Sequence, residues 1–493
     1  MHVEERMLCT DSAGLPRAST VDLEDAMKKA PAYLLLMVAG ALTLPGRCQV
    51  STAEFISFES AKPVLRVMGE SLPSELKQAG SQLDAKAWAE WVKKEDAVIR
   101  QRLETGEEDT LTNLLRFGVT FTKEYQIDRE YLGKYGHSTL VNSFGEHRAD
   151  DLIRALRSPS AGERMQQMRV LLENKGFSFD TAAERDRLKE YLLANLARMR
   201  DEFNAYREKQ KSAGIEERSQ LYADRGISLD TNLWPDFALD LQFRQMLKTG
   251  LLKPGSVRRI AVVGPGLDFA NKEYGNDFYP LQTTQPFAVM DSLARLGLAD
   301  PASLELVTLD ISPNVNVHLQ RVRKAAAKGK AYTVQLAWNS AVPRGQDYLA
   351  DFVKYWQTLG DQIGAVTKPV PVPPAVAGET HIRAVAIRPQ VVTHITPINM
   401  NVVYQRLRVP EPELQFDLII GTNVFIYYGA FEQSLARANL ASMIKPGGFL
   451  LTNELLADKV PSQLVDAQRL SRTVSTVPLI TDYMFCYKRD PSK

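Results

Sequence analysis

Cysteine is scarce in this chain. The three present, Cys9, Cys48 and Cys486, stand too far apart for a zinc knuckle or a CxxC redox pair. The six histidines are scattered, and no HExxH, paired His–Cys cluster or calcium-loop spacing occurs, so a metal enzyme is not expected. Neither sign of charge dominates: 60 basic against 59 acidic side chains leave a formal charge of +1, with no long block of one sign. That balance gives no specific nucleic-acid signal. No apolar run reaches the roughly 20 residues of a comfortable membrane span.

What is present is the composition of a folded chain, 44% hydrophobic and 24% charged over 493 residues, with room for two or three domains. Residues 1–50 form a leader. Within it, segment 27–49 (MKKAPAYLLLMVAGALTLPGRCQ) has two lysines, about a dozen mostly apolar residues and then small or polar ones. This is the tripartite plan of a secretory signal. Two readings stay open: export through a start at Met27, or a buried helix in a cytoplasmic protein.

Residues 51–215 read as a helical domain. The stretch 74–104 is rich in helix formers, and its Trp88 and Trp91, three apart, share a face; a second helical run covers 182–211. Stripes of this kind are expected to be core rather than a partner groove. Residues 216–257 form a bridge with a helix expected at 236–248, placed to precede the first strand and help cover a ligand site.

From residue 258 to 493 apolar runs alternate with helix-like segments, the pattern of an α/β domain whose doubly wound, mostly parallel sheet is covered on both faces. Strands are expected at 259–263, 304–309, 416–420, 448–453 and 483–487, with helices at 286–296, 314–328 and 431–443. Lys445-Pro446-Gly447-Gly448 reads as a stop and turn. An insertion is expected at about 331–383, and HIRAVAIRPQVVTHITPIN holds two β-rich runs, one the middle strand of the domain and one part of an inserted hairpin.

The chemistry centres on RRIAVVGPGLDFA, residues 258–270. Gly264 and Gly266 lack a Cβ and can bring backbone close to a ligand at the carboxyl end of a strand. Asp310 ends the next strand, in LELVTLDIS, where a carboxylate can accept both hydroxyl hydrogens of a ribose. A lone GxG also fits an ordinary turn. The third glycine of GxGxxG is missing, and the acid stands 46 residues after Gly264 rather than about twenty, which disfavours a dinucleotide enzyme. No GK[ST] follows the glycines, which excludes a P-loop. The interval holds an enlarged loop, KEYGNDFYPLQTTQP, suited either to closing over a ligand or to decoration.

VVGPG, then LVTLDIS, then FDLIIGTNVFIYYGAFEQSLARANLASMIKPGGFLLTNE resembles the succession of motifs in class I S-adenosylmethionine-dependent methyltransferases, over about residues 236–490. TNVFIYYGAFEQ is similar to the chemotaxis-receptor methyltransferase branch. The resemblance implies a Rossmann-like methyltransferase fold and S-adenosyl-L-methionine as cofactor. It would place Gly264 and Gly266 along the methionine portion, Asp310 on the ribose and Asn399 or Met400 near the adenine. Gly421, Thr422 and Asn423 would face the methionine and the incoming substrate. Asp268, Asn423 and Tyr427 are candidate substrate contacts, each with a structural alternative in capping, strand-end bonding or packing. The methyl acceptor, a small molecule or a protein, is unspecified, and no NPPY-like signature points to a base. A catalytically silent, repurposed fold is the alternative, favoured if the chain is exported; a dinucleotide-dependent oxidoreductase is the third. Nothing in the sequence specifies an oligomeric state.

Overall fold

The computed structural model describes residues 52–123, 137–159, 162–212, 225–231, 233–268, 277–339, 350–378, 380–409, 411–457, 460, 462–473 and 481–492. Segment 27–49, with its two open readings, lies outside the described residues. The strands are β1 (Ala53–Phe55), β2 (Arg259–Val263), β3 (Glu305–Asp310), β4 (Tyr332–Asn339), β5 (Gly364–Thr367), β6 (Thr380–Ile387), β7 (Ile395–Asn399), β8 (Gln405–Leu407), β9 (Phe416–Gly421), β10 (Ile444–Thr452), β11 (Leu464–Thr473) and β12 (Thr481–Arg489). The helices are α1 (Phe58–Met68), α2 (Ser74–Ala79), α3 (Ala85–Phe117), α4 (His137–Leu156), α5 (Glu163–Asn174), α6 (Ala182–Ser212), α7 (Leu233–Lys248), α8 (Gln285–Arg295), α9 (Pro313–Ala326), α10 (Ala350–Thr358), α11 (Pro389–Thr393) and α12 (Ala430–Met443).

The alternation within β2 organises the molecule. Ile260 and Val262 belong to one buried cluster, Ala261 and Val263 to another, because successive strand side chains point to opposite faces. On the first face, α7 and α8 pack with Val334, Leu336, Phe352, Val385 and Ile387 of the inserted segment. On the second, Trp88 and Trp91 of α3 join Leu435 and Leu440 of α12. A strand apolar on both faces needs this double cover.

The main sheet has seven strands in the order β11-β12-β10-β9-β2-β3-β7. β10, β9, β2, β3 and β7 run parallel, while β12 is antiparallel to both β10 and β11. The fold is therefore a doubly wound, mostly parallel, Rossmann-like sheet with a large helical N-terminal region. Strand order reverses between β2 and β9, and the crevice at their carboxyl ends is where such sheets hold ligands.

Three expectations need correction. The strand expected in the middle of the domain is β7, which lies at the sheet edge beside β3. The insertion is a three-stranded antiparallel sheet, order β4-β6-β5, rather than a hairpin, and it reaches Ile387. The Lys445–Gly448 turn is drawn into β10 as an irregularity between Ile444 and Phe449, with Gly447 taking a φ of 79°.

Helix α3 ties the helical region to the sheet. Its 33 residues span about 50 Å. The first half carries Trp88, Trp91, Val92, Ile99 and Leu103 into the core on the second face. The second half carries Leu111, Leu114 and Leu115 into a separate cluster with α4, α5 and α6. Trp88 and Trp91 stack at 5.3 Å, and Trp91 meets Tyr404 and Phe431 edge-on at 5.8 and 6.0 Å. The tryptophans do share a face, and it is core. Residues Ser51–Lys493 form one compact unit.

Candidate functional site

The carboxyl ends of β2, β3 and β9 open into a cleft of about 680 Å³, part of it open to solvent. Three elements build it. The turn after β2 brings Gly264 and Gly266, both in the left-handed region at φ 61° and 67°. The end of β3 brings Asp310 and Ile311, and the turn after β9 brings Thr422, Asn423 and Val424. Gln285, at the start of α8, also lines it, as do Met400 and Val402, which follow β7. Tyr427 and Tyr428 follow on the β9 side.

The glycines are glycines for a reason internal to the chain. A Cβ on Gly264 would meet Val424 Cγ2 at 2.8 Å, and one on Gly266 would meet the Leu229 carbonyl oxygen at 2.5 Å. Leu229 belongs to a strap, residues 225–231, whose members from Ile227 to Thr231 form the remaining wall. Leu267 N–H donates to Leu229 O at 2.8 Å, and Ile227 N–H donates to Arg102 O at 3.1 Å. The strap is thus stapled to the glycine turn at one end and to α3 at the other. Gly106 and Gly226 permit that second approach, since a Cβ on either would fall within 2.5 Å of the opposing backbone.

Asp310 is 4% exposed. Burial pushes its carboxyl up to about 7, against the opposing pull of the Ser312 and Gly266 backbone N–H groups. The Ser312 N–H donates to Oδ1 at 2.7 Å, and the Asp310 carbonyl accepts from Met400 N and from Asn316 Nδ2. The acid is therefore fixed by its neighbours on both sides.

Asn423, at φ 57°, is the only described non-glycine residue in the left-handed region. It is held there by reciprocal bonds with Asn453: Asn423 N–H to Asn453 Oδ1 at 2.8 Å, and Asn453 Nδ2 to Asn423 Oδ1 at 2.7 Å. A non-glycine residue kept in this region by its surroundings is a recurrent feature of functional turns.

Of the residues expected from sequence, Gly264, Gly266, Asp310, Met400, Thr422, Asn423 and Tyr427 come together around one cleft. Three do not line it. The Asn399 side chain accepts from Arg100 at 2.7 Å, which turns it away. Gly421 sits in the core, where a Cβ would meet the Phe425 ring at 2.8 Å. The Asp268 carboxyl accepts from Gln282 Nε2 at 2.8 Å and Thr284 Oγ1 at 3.2 Å behind the glycine turn, and burial raises it to about 7.

The described part of the enlarged loop, from Asp277 onward, is anchored to the helical region. Asp277 accepts from Val119 N and from the Thr120 hydroxyl at 2.8 and 2.7 Å, and Arg164 of α5 donates to the carbonyls of Asp277 and Tyr279. Leu281 is buried in the helical cluster. These partners come from residues more than 100 positions upstream, so no local signal announces them.

Sequence reasoning also passed over the strap with its Asp230, and a buried pair formed by Asp236 and Gln285. Gln285 Nε2 donates to Asp236 Oδ1 at 3.2 Å and to Thr422 Oγ1 at 2.8 Å. Asp236 is 2% exposed, and burial raises its carboxyl to about 7. Asp230 and Asp310 line the cleft, and its described lining includes no lysine, arginine or histidine.

No protein-family model matches the chain, and no curated protein does. Among solved structures it is similar to the N-methyltransferase NodS of Bradyrhizobium japonicum WM9. That likeness is 11% in identity over 53% of this chain and 99% of the other, with a TM-score of 0.26. It is also similar to the magnesium protoporphyrin IX methyltransferase ChlM of Synechocystis PCC 6803, at 11% identity over 52% of this chain and 81% of the other, with a TM-score of 0.25. These are distant likenesses.

Proposed function

We propose that the chain is an S-adenosyl-L-methionine-dependent methyltransferase, with the cofactor held in the cleft at the ends of β2, β3 and β9. The observation that carries this reading is the charge of the lining: two carboxyls and no cationic side chain among the described residues. A sulfonium cofactor is cationic and carries no phosphate, so it suits an acidic cleft. NAD carries an anionic pyrophosphate, which these side chains do not match.

The residues fit the cofactor in a definite order. Asp310 would accept the ribose hydroxyls. Met400, Ile311 and Val402 give the adenine an apolar slot beside it. Gly264, Gly266, Thr422 and Gln285 would surround the methionine portion. Asn423 and Tyr427, next to the open side, would meet the acceptor, and Asn399 and Asp268 would act by supporting the rim and the glycine turn. The chemistry supplied by bound cofactor is an activated methyl group, so the protein is asked mainly for approach geometry and electrostatics. The clamped turn at Asn423 supplies the first, and the acid-rich wall the second. The likeness of TNVFIYYGAFEQ to the chemotaxis-receptor branch belongs to this proposal, because those residues form the turn and the tyrosine wall. The acceptor is a small molecule or a protein.

A second reading, a repurposed binding fold, is favoured by one observation: the Leu229 carbonyl already covers Gly266. A thermal-shift series on the full chain tests the adenosyl site that the methyltransferase reading requires. S-adenosylmethionine or S-adenosylhomocysteine at a hundredfold its Kd stabilises a binding protein by about 2.7 kcal/mol. Stabilisation by both adenosyl ligands and none by NAD is expected; no adenosyl response, or an equal response to NAD, rejects the methyltransferase reading.

A further inference from the structure

Deep in the cleft, Gln285 lies between two partners. The Gln285 amide nitrogen donates to Asp236 Oδ1 and also to Thr422 Oγ1. Both amide hydrogens are thereby engaged. Gln285 lines the cleft, and its amide oxygen remains as an acceptor. Asp236 itself lies behind the wall on α7, and its second oxygen has no hydrogen-bond partner among the described residues.

We infer that Asp236 is a positioning residue that fixes the Gln285 amide with its oxygen toward the cleft, making this inner wall a receptor for the α-ammonium group of the adenosyl ligand. The inference rests on the methyltransferase reading and adds a residue pair outside the glycine turn and strand ends. Its chemistry is selective. An ammonium brings three donors and a positive charge to an amide oxygen backed by a buried acid. A ligand lacking that group leaves the oxygen without a donor while keeping every other contact. Residues of one helix aim those of another here, since Asp236 is on α7 and Gln285 begins α8.

The test is calorimetric binding to the full chain of two probes, S-adenosylhomocysteine and its deaminated counterpart, in which a hydrogen replaces the α-ammonium. The wild type is expected to prefer the first by about tenfold, the ratio of one charge-assisted hydrogen bond. Gln285→Leu is expected to bind the two equally, by weakening only the ammonium-bearing probe. Asp236→Ala is expected to lose most of the preference, because Gln285 is then free to turn over. Thermal unfolding of each variant confirms that it folds; if Asp236→Ala does not, Gln285→Leu and Asp236→Asn carry the test, with Asn retaining an acceptor and the preference. An undiminished preference in Gln285→Leu overturns the inference, as does a parallel loss for both probes or an indifferent wild type. Absence of binding of either probe to the folded wild type removes the methyltransferase reading, and the inference with it.

Discussion

The Leu229 carbonyl and the Leu267 N–H meet at 2.8 Å, and that contact sets the carbonyl oxygen 2.5 Å from the place a Cβ on Gly266 would occupy. The strap and the glycine turn are therefore one structure. Gly266→Ala suffers twice, from its φ of 67° and from the collision with Leu229. Gly297, at φ 66° with nothing within 4 Å of a Cβ, suffers only the first. Gly297→Ala should cost about 1 kcal/mol, and Gly266→Ala about 2 kcal/mol more for the displaced backbone. Urea unfolding of the two variants checks this; equal losses would show that the strap does not press on the turn.

Three buried carboxyls give stability a pH signature. Asp236, Asp268 and Asp310 each stand at about 7 in the folded chain, against an ordinary value of 3.8. Between those values the folded chain holds more protons than the unfolded one, so their contribution falls as pH rises from about 4 to about 7 and levels off above. The stability of wild type relative to Asp310→Asn, which does not titrate, should therefore decline from pH 5 to pH 7.5. Denaturation midpoints at the two pH values measure it, and a rising difference would contradict the assignment.

Asn423 is a trade between backbone strain and position. Its φ of 57° suits glycine, whereas its side chain holds Asn453. Asn423→Gly should be about 1 kcal/mol more stable than Asn423→Ala, because only alanine retains the steric penalty. Both should weaken turnover if the clamp aims the acceptor. Melting and methyl-transfer assays on the pair separate the two effects.

Trp88 tests whether the helical region and the sheet unfold together. It is 1% exposed, donates to Ile56 O at 2.8 Å and stacks on Trp91. Trp88→Ala should cost about 3–5 kcal/mol and move one cooperative transition, followed alike by circular dichroism and tyrosine fluorescence. A transition split in two would mean that α3 does not couple them.

Much of this was legible in the sequence because it was periodic or local. Arg259–Val263 is a strand with the expected bounds, since a short apolar run stopped by Gly-Pro-Gly fits a buried strand better than a helix. The Gly264, Asp310 and Thr422 positions follow from strand ends, which the apolar runs mark. Long-range hydrogen bonding was not legible. Arg100 takes Asn399 from 299 positions away, and Arg164 anchors the loop at Asp277 from 113 away. The strap was missed for the same cause: the alternation in ISLDT is too short to name a partner, and its place is set by two backbone contacts and by the facing glycines Gly106 and Gly226.

The most direct measurement is calorimetric titration of S-adenosylhomocysteine into the full chain and into Asp310→Ala. Loss of the ribose acceptor should weaken binding by at least about tenfold, the scale of a hydrogen bond to a charged group, while the variant keeps its fold by circular dichroism. Equal affinity in wild type and variant would place the ligand elsewhere and contradict the site; no binding to the folded wild type would contradict the function.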